Sequence, residues 1–387
     1  MVTGSHNPPD MNGLKLAYGP KTDDPEKTFA KATLWGEEIQ EIRRLAESCF
    51  ITDAKGANAQ KANARGSITS EDIAGAYISM LTSKIGPVSR GAGFPKLKVV
   101  CDSGNGTAGG TICRFLSGLG CECVSLYETP DGRFPNHHPD PQRRENLTAL
   151  AEKVRETGAD AGFAFDGDAD RVGVVDERGE AISGDRLQAL YWAEILEKHP
   201  GADAIVEPKC SLALSEEIER LGGKVVWWKS GHSLIKAKMK EIGALFAGEL
   251  SGHMFFADEY YGFDDSFYAA ARLLRILART GKKLSQLMEP IPLYPSTEEM
   301  RIACPDAEKF EVIGRIREKA LKEYEGFSLD GVRIVYPGGW GLIRASNTQP
   351  VVTTRCEGKD RESLAFIMDD VKKRILAEGL PDFEWTF

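Results

Sequence analysis

From about residue 97 to residue 280 the chain alternates short apolar, β-branched runs with amphipathic ones. That alternation restricts the region to parallel or mixed sheets with helices packed on both faces. Strands are predicted at 97–101, 122–127, 161–165, 172–175, 204–206, 224–228 and 244–247. Helices are predicted from about Ala108, over 146–156, over 184–197, after Ser211, after His232 and over 265–280. Pro290, Pro292 and Pro295 then punctuate the chain as a linker does. Beyond them the order becomes strand, helix, three strands and helix, which describes a small α+β domain. The fold class expected is therefore multidomain α/β with a C-terminal α+β unit, divided into 1–50, 51–180, 181–292 and 293–387. The stretch 53–93 is rich in Ala, Gly, Ser, Asn and Lys and is expected to include a surface connection. At 387 residues the chain is too long for one core, in keeping with that division.

Charge narrows the function. The net charge is −9 with acids and bases interspersed, which argues against nucleic acid or an anionic membrane as the partner. An anionic substrate then has to be met by a local basic site. No run reaches the ~18 apolar residues of a membrane span. The eight cysteines lack metal-ligand spacing, and Cys121 and Cys123 alternate along a strand as small buried thiols do. A reducing, cytoplasmic compartment is expected.

Four loops carry chemistry. In Thr3-Gly-Ser-His-Asn-Pro-Pro a serine stands on a rigidly turned, exposed loop. No Gly-x-Ser-x-Gly elbow surrounds it, so a serine hydrolase is disfavoured, and an ordinary turn remains open. In Asp166-Gly-Asp-Ala-Asp-Arg three carboxylates at alternate positions follow a buried strand and can converge on one hard cation. An EF-hand places Glu177 correctly at the twelfth position but requires glycine where Arg171 stands, and helices where strands are predicted. With three aspartates and room for a phosphate oxygen, Mg²⁺ is preferred over Ca²⁺. Gly248-Glu-Leu-Ser-Gly-His alternates acceptors and donors as sugar hydroxyls require, although a turn with a satisfied histidine also fits. In Arg344-Ala-Ser-Asn-Thr-Gln-Pro a guanidinium fork and small hydroxyls can cradle a phosphate, or cap a hairpin turn. A rival reading comes from Gly104-Asn-Gly-Thr-Ala-Gly, which matches a dinucleotide-binding turn with Glu128 beyond it. An NAD-dependent dehydrogenase, however, leaves the acidic and arginine loops without a role.

Together and in this order, the four loops resemble the α-D-phosphohexomutase family, in particular the bacterial phosphomannomutase/phosphoglucomutase type. The segments Phe134-Pro-Asn-His-His-Pro-Asp-Pro, Trp228-Lys-Ser-Gly-His-Ser and Tyr336-Pro-Gly-Gly-Trp-Gly extend the likeness along the chain. The resemblance implies four domains around a central cleft, with one loop from each. It implies a phosphoserine at Ser5, and Mg²⁺ held by Asp166, Asp168, Asp170 and the Ser5 phosphate. Arg171 would face the phosphoserine, Lys15 would be an acid/base, and His232 and Lys209 would line the cleft. Glu249 and Ser251, with His253 nearby, would hold sugar hydroxyls, while Arg344, Ser346, Asn347 and Thr348 would grip the phosphate not being transferred. The implied reaction interconverts hexose 6-phosphate and hexose 1-phosphate (mannose, glucose or both) through a sugar 1,6-bisphosphate, in an enzyme expected to be monomeric. Phosphoglucosamine mutase is the alternative specificity.

The first residues depart from the pattern. Family members carry most of their first domain before the serine loop, whereas here the loop follows Met1 directly. The expectation is that domain 1 is truncated and that catalysis by this chain is weakened. A sugar-phosphate-binding remnant without activity is the corresponding alternative.

Overall fold

The computed structural model describes residues 1–8, 10–18, 32–54, 67–89, 91, 96–346 and 349–387. The first unit holds a two-stranded antiparallel ribbon, β1 (Ala17–Tyr18) with β2 (Ala32–Thr33), followed by the helix Glu37–Ala54.

The second unit is built on five strands: β3 (Lys98–Asp102), β4 (Glu122–Leu126), β5 (Ala161–Phe165), β6 (Val172–Asp176) and β7 (Ala181–Ile182). Their order is β4-β3-β5-β6-β7, parallel across β4, β3 and β5 and antiparallel from β5 onward. Every residue of β5 and β6 is buried, as strands covered on both faces must be. The acidic loop is the turn between them. It therefore leaves one rigid strand and returns along its neighbour, which fixes the positions of its carboxylates.

The third unit orders β8 (Asp203–Val206), β9 (Lys224–Trp227), β10 (Phe246–Gly248) and β11 (Met254–Phe256) as β11-β10-β8-β9. Its helices begin where side chains cap them. Ser211 accepts from Ala213 N at 3.0 Å before Leu212–Arg220, and Asp265 accepts from Tyr268 N at 2.9 Å before Ser266–Thr280; each cap is worth about 1 kcal/mol. One continuous core runs through both units, joining Phe163 and Phe165 to Tyr191, Trp192, Phe246 and Phe267.

The last unit is a five-stranded antiparallel sheet in the order β12-β16-β15-β14-β13. Its strands are β12 (Met300–Ala303), β13 (Gly326–Phe327), β14 (Val332–Tyr336), β15 (Gly339–Ala345) and β16 (Val351–Gly358). The helices Lys309–Glu323 and Arg361–Ala377 cover it around a separate core that includes Ile316, Ile334, Ile343, Val352 and Ile367. The arginine loop is the hairpin connecting β15 to β16.

The structure refines three readings of local sequence. Residues 53–93 contain the helix Ala74–Ile85, whose Leu81 and Ile85 are buried four apart. Its small residues disguise that stripe, and just before it Asp72 Oδ1 accepts from Ala74 N at 3.0 Å. The last unit has four strands after its first helix rather than three, because the short β13 pairs with β14. The turn at Gly104 follows a strand and precedes a helix, but its glycines serve the protein's own backbone. A Cβ on Gly106 would lie 3.0 Å from Asp166 O, and one on Gly109 would lie 1.7 Å from Glu128 O. The close approach that would admit a pyrophosphate is taken up by the acidic loop and the end of the next strand.

Candidate active site

The serine loop is a tight reversal. Val2 bridges Leu14, Thr3 N donates to Gly13 O at 3.0 Å, and Lys15 N donates to Met1 O at 2.9 Å. Ser5 sits at its tip with φ 52°, a left-handed conformation that costs a non-glycine residue about 1 kcal/mol or more. The reversal brings Ser5 and Lys15 to the same place, the acidic loop beyond β5. Ser5 Oγ donates to Asp166 Oδ2 at 2.8 Å, Thr3 Oγ1 donates to Asp168 Oδ2 at 2.8 Å, and Lys15 Nζ pairs with Asp168 at 2.8 Å and with Asp170. Gly167 permits this contact, since a Cβ there would lie 2.1 Å from Ser5 O.

Asp166, Asp168 and Asp170 each present an oxygen within 4.8 Å of the others. Burial, followed by the charges of Asp170 and Asp168, pushes the Asp166 carboxyl up to about 7. Burial also opposes ionisation of Asp170, but the hydrogen bonds and charges of His253 and Lys15 outweigh it and hold that carboxyl well below the usual range. Burial likewise works against the Lys15 ammonium, and Asp170 and Asp168 overcome it. The sharing of one cation among crowded carboxylates, together with the buried, unpartnered Asp168 Oδ1, fits a hard divalent metal ion.

The loop between β10 and β11 faces the acidic loop. His253 places Nδ1 2.7 Å from Glu249 Oε2 and Nε2 3.2 Å from Asp170 Oδ1, while Ser251 Oγ lies 3.2 Å from Nδ1. Burial disfavours the imidazolium, yet the two carboxylates push it up to about 10. Glu249 also accepts from Gly231 N at 2.7 Å; burial resists its charge, but His253 and Lys209 bring its carboxyl down to about 2. Arg171 pairs with His253 as an isolated bridge and holds Nε 3.7 Å from Asp166 Oδ2. His232 starts the helix His232–Ile242, with its ring 5.8 Å from that of His253 and Nδ1 3.7 Å from Asp264 Oδ2; burial lowers its pKa.

Lys209 is half-buried with Nζ 3.8 Å from Glu207 Oε2, in the combined field of Glu207, Glu299, Glu249 and Arg344. Arg344 lies near the end of β15 with Nη2 3.0 Å from Asp330 Oδ2 and a buried, unpartnered Nε. Ser346 begins the turn and accepts from Gln349 N at 3.1 Å. Asn347 and Thr348 lie outside the described residues.

The structure makes one contact in the serine loop that the residue pattern does not announce. His6 Nδ1 lies 3.1 Å from Ser5 Oγ, and burial followed by the charge of Arg171 lowers its pKa. Adjacency to serine was its only sequence signal. Thr3, Asp264 and Asp330 also join the cleft without a distinguishing pattern.

Comparison with known proteins gives consistent matches. Models of phosphoglucomutase/phosphomannomutase α/β/α domain II, α/β/α domain III and the C-terminal domain match residues 75–179, 183–294 and 299–374. The phosphomannomutase/phosphoglucomutase of Pseudomonas syringae pv. tomato is 43% identical, over 100% of this chain and 77% of the relative. The phosphoglucomutase of Neisseria gonorrhoeae is 39% identical, over 100% of this chain and 78% of the relative. A crystal structure of a Burkholderia thailandensis protein of this type superposes with a TM-score of 0.82 at 40% identity, covering 100% of this chain and 77% of the other.

Proposed function

The chain belongs to the phosphoglucomutase/phosphomannomutase family and is a hexose-phosphate mutase, and on that premise we propose that Ser5 carries the phosphoryl group. The observation that supports this most strongly is the 2.8 Å hydrogen bond from Ser5 Oγ to Asp166 Oδ2, within a set of three converging aspartates. Asp166, Asp168 and Asp170, with an oxygen of phosphorylated Ser5, are the residues that would hold Mg²⁺. When bound, Mg²⁺ supplies positive charge to the phosphoryl oxygens, where transfer develops negative charge.

Transfer breaks the bond between Ser5 Oγ and phosphorus as one forms from the free hydroxyl oxygen of a hexose monophosphate. The hydroxyl proton passes to a base on the sugar side, for which His232, kept neutral by burial, is suited. The serine oxygen recovers a proton, and Lys15, held charged by two aspartates, is placed to donate one and to neutralise the transferring group. Arg171 adds charge opposite. The product is a hexose 1,6-bisphosphate, which turns over in the cleft and returns its other phosphoryl group to Ser5; free bisphosphate re-primes an enzyme that has lost its phosphate.

Both sugar orientations have to be held. Glu249, Ser251 and His253 take sugar hydroxyls, and Lys209 with Arg344, Ser346, Asn347 and Thr348 takes the phosphate not in transfer. None of these contacts demands one configuration at C2, so both glucose and mannose phosphates are proposed substrates. The same reading divides the chain near residues 50, 180 and 292, and makes it a cytoplasmic monomer; the free thiols of Cys101, Cys113, Cys121, Cys123, Cys210, Cys304 and Cys356 suit a reducing compartment.

Glucose 1-phosphate turnover, with and without a chelator, tests the assignment beside an Asp168→Asn variant. Turnover should fall about a hundredfold or more in both, with the thermal midpoint of the variant in chelator no lower than wild type, because one of three crowded charges is gone. Undiminished activity in chelator would refute the metal role.

A further inference from the structure

The turn that carries Lys209 is bound by side chains from the last sheet. Arg355, on β16, donates from Nη1 to Lys209 O, and its Nε and Nη2 lie 3.4 Å from Thr297 O and Ser296 Oγ. Arg333, on β14, donates from Nη1 to Pro208 O and, at 2.9 Å, to Cys210 O. Its guanidinium lies between the indoles of Trp227 and Trp340, 4.5 and 3.9 Å from the ring centroids, and is wholly buried. Three consecutive carbonyls, at 208, 209 and 210, are thus held by two arginines of another unit. Hydrogen bonds from a charged donor are the stronger kind, and a planar fork fixes direction as well as distance.

The same sheet carries the phosphate loop. β14 and β16 flank β15, which ends at Arg344 and Ala345. Gly331, two residues before Arg333, packs so closely that a Cβ there would lie 2.6 Å from Arg344 Cα. Lys209 and Arg344 therefore share one support.

We propose that Arg355 and Arg333 are positioning residues for Lys209, tying its backbone to the sheet that presents Arg344 so that the two cations meet a sugar phosphate in fixed relation. The inference rests on Lys209 being a substrate-binding residue. Loosening the tie leaves both cations present but free to separate, so it weakens capture of substrate more than it slows transfer. The bisphosphate, with a phosphate at each end, has most to lose.

The test uses the full chain with Lys209→Met, Arg355→Met, Arg355→Lys and the Lys209→Met/Arg355→Met double variant, reading KM and kcat for glucose 1-phosphate, the concentration of glucose 1,6-bisphosphate needed for activation, and the thermal midpoint. Methionine keeps the apolar stem of Arg355 while removing its donors, which limits damage to the fold. Each methionine substitution should raise KM about tenfold, with a smaller change in kcat, and Arg355→Lys should recover part of the loss. In the double variant the effects should not multiply, since the tie has nothing left to position once the Lys209 ammonium is gone. Effects that multiply, or an unchanged KM in Arg355→Met where Lys209→Met raises it, overturn the positioning role. An unchanged KM in Lys209→Met alone removes the substrate-binding reading itself, and the inference with it.

Discussion

His253 Nε2 lies 3.2 Å from Asp170 Oδ1, so the loop between β10 and β11, proposed to face the sugar, and the loop that gathers the aspartates share a hydrogen bond across two units of the chain. The other ring nitrogen meets Glu249 at 2.7 Å, which leaves the imidazolium clasped between carboxylates. The two loops are consequently one connected network of charge, and on the proposed function disturbance of the support beneath either should register in turnover.

Gly167 is such a support. Replacement by alanine sets a Cβ 2.1 Å from Ser5 O, and backbone on both sides prevents an easy retreat. Relieving an overlap of this kind costs about 1–3 kcal/mol. The serine loop should lift from the acidic loop while the buried sheet beneath persists. A displacement near 1 Å costs transfer about a hundredfold. Phosphorylation of Ser5 by glucose 1,6-bisphosphate, followed by mass spectrometry, should slow to that extent while the circular dichroism spectrum is retained.

Arg344→Lys removes the fork but keeps the charge. Loss of a bidentate contact to phosphate should raise KM about tenfold for glucose and mannose phosphates alike, with a smaller fall in kcat. Steady-state kinetics on both sugars decide this; a change confined to one would mean that the side chain reads C2 and not phosphate.

His137 supplies a pH prediction away from the acidic loop. Its Nε2 lies 3.0 Å from the buried Asp102 Oδ2, and Nδ1 donates to His138 O at 2.9 Å. Burial works against its charge, but Asp102 and that carbonyl win, and its pKa is raised. Below the unfolded-state value near 6.5, histidine is protonated in both states and the pair contributes fully. As pH rises through the higher folded value, the native state gives up its extra proton and the contribution is lost. Urea unfolding from pH 5.5 to 9 should show wild type losing stability relative to His137→Gln as pH rises. A constant difference between the two would contradict the pairing.

Much of this was legible in the sequence because local chemistry and tertiary placement agree. The acidic run at 166–170 announces itself by alternate carboxylates after an apolar strand, and its converging geometry follows from β5 and β6 pairing directly. Ser211 and Asp265 mark helix starts by the same rule that positions them in the fold. What escaped depends on backbone conformation or on partners distant in sequence. The 3.1 Å contact of His6 with Ser5 exists because the loop adopts a left-handed turn at Ser5, which no residue type there requires. The glycines at 106 and 109 matched a nucleotide motif for the right physical reason, close backbone approach, but what approaches is the chain itself. The arginines at 333 and 355 look like ordinary strand residues until the Lys209 turn is packed against them.

On the proposed mechanism the phosphoryl group passes through Ser5. Protein incubated with glucose 1,6-bisphosphate and Mg²⁺ should gain one phosphoryl group on the peptide containing Ser5, and should lose it to added hexose monophosphate at least as fast as steady-state turnover. Ser5→Ala should acquire none and interconvert no hexose phosphate. Turnover at the wild-type rate by Ser5→Ala, with no phosphate on the chain, would rule out transfer through Ser5.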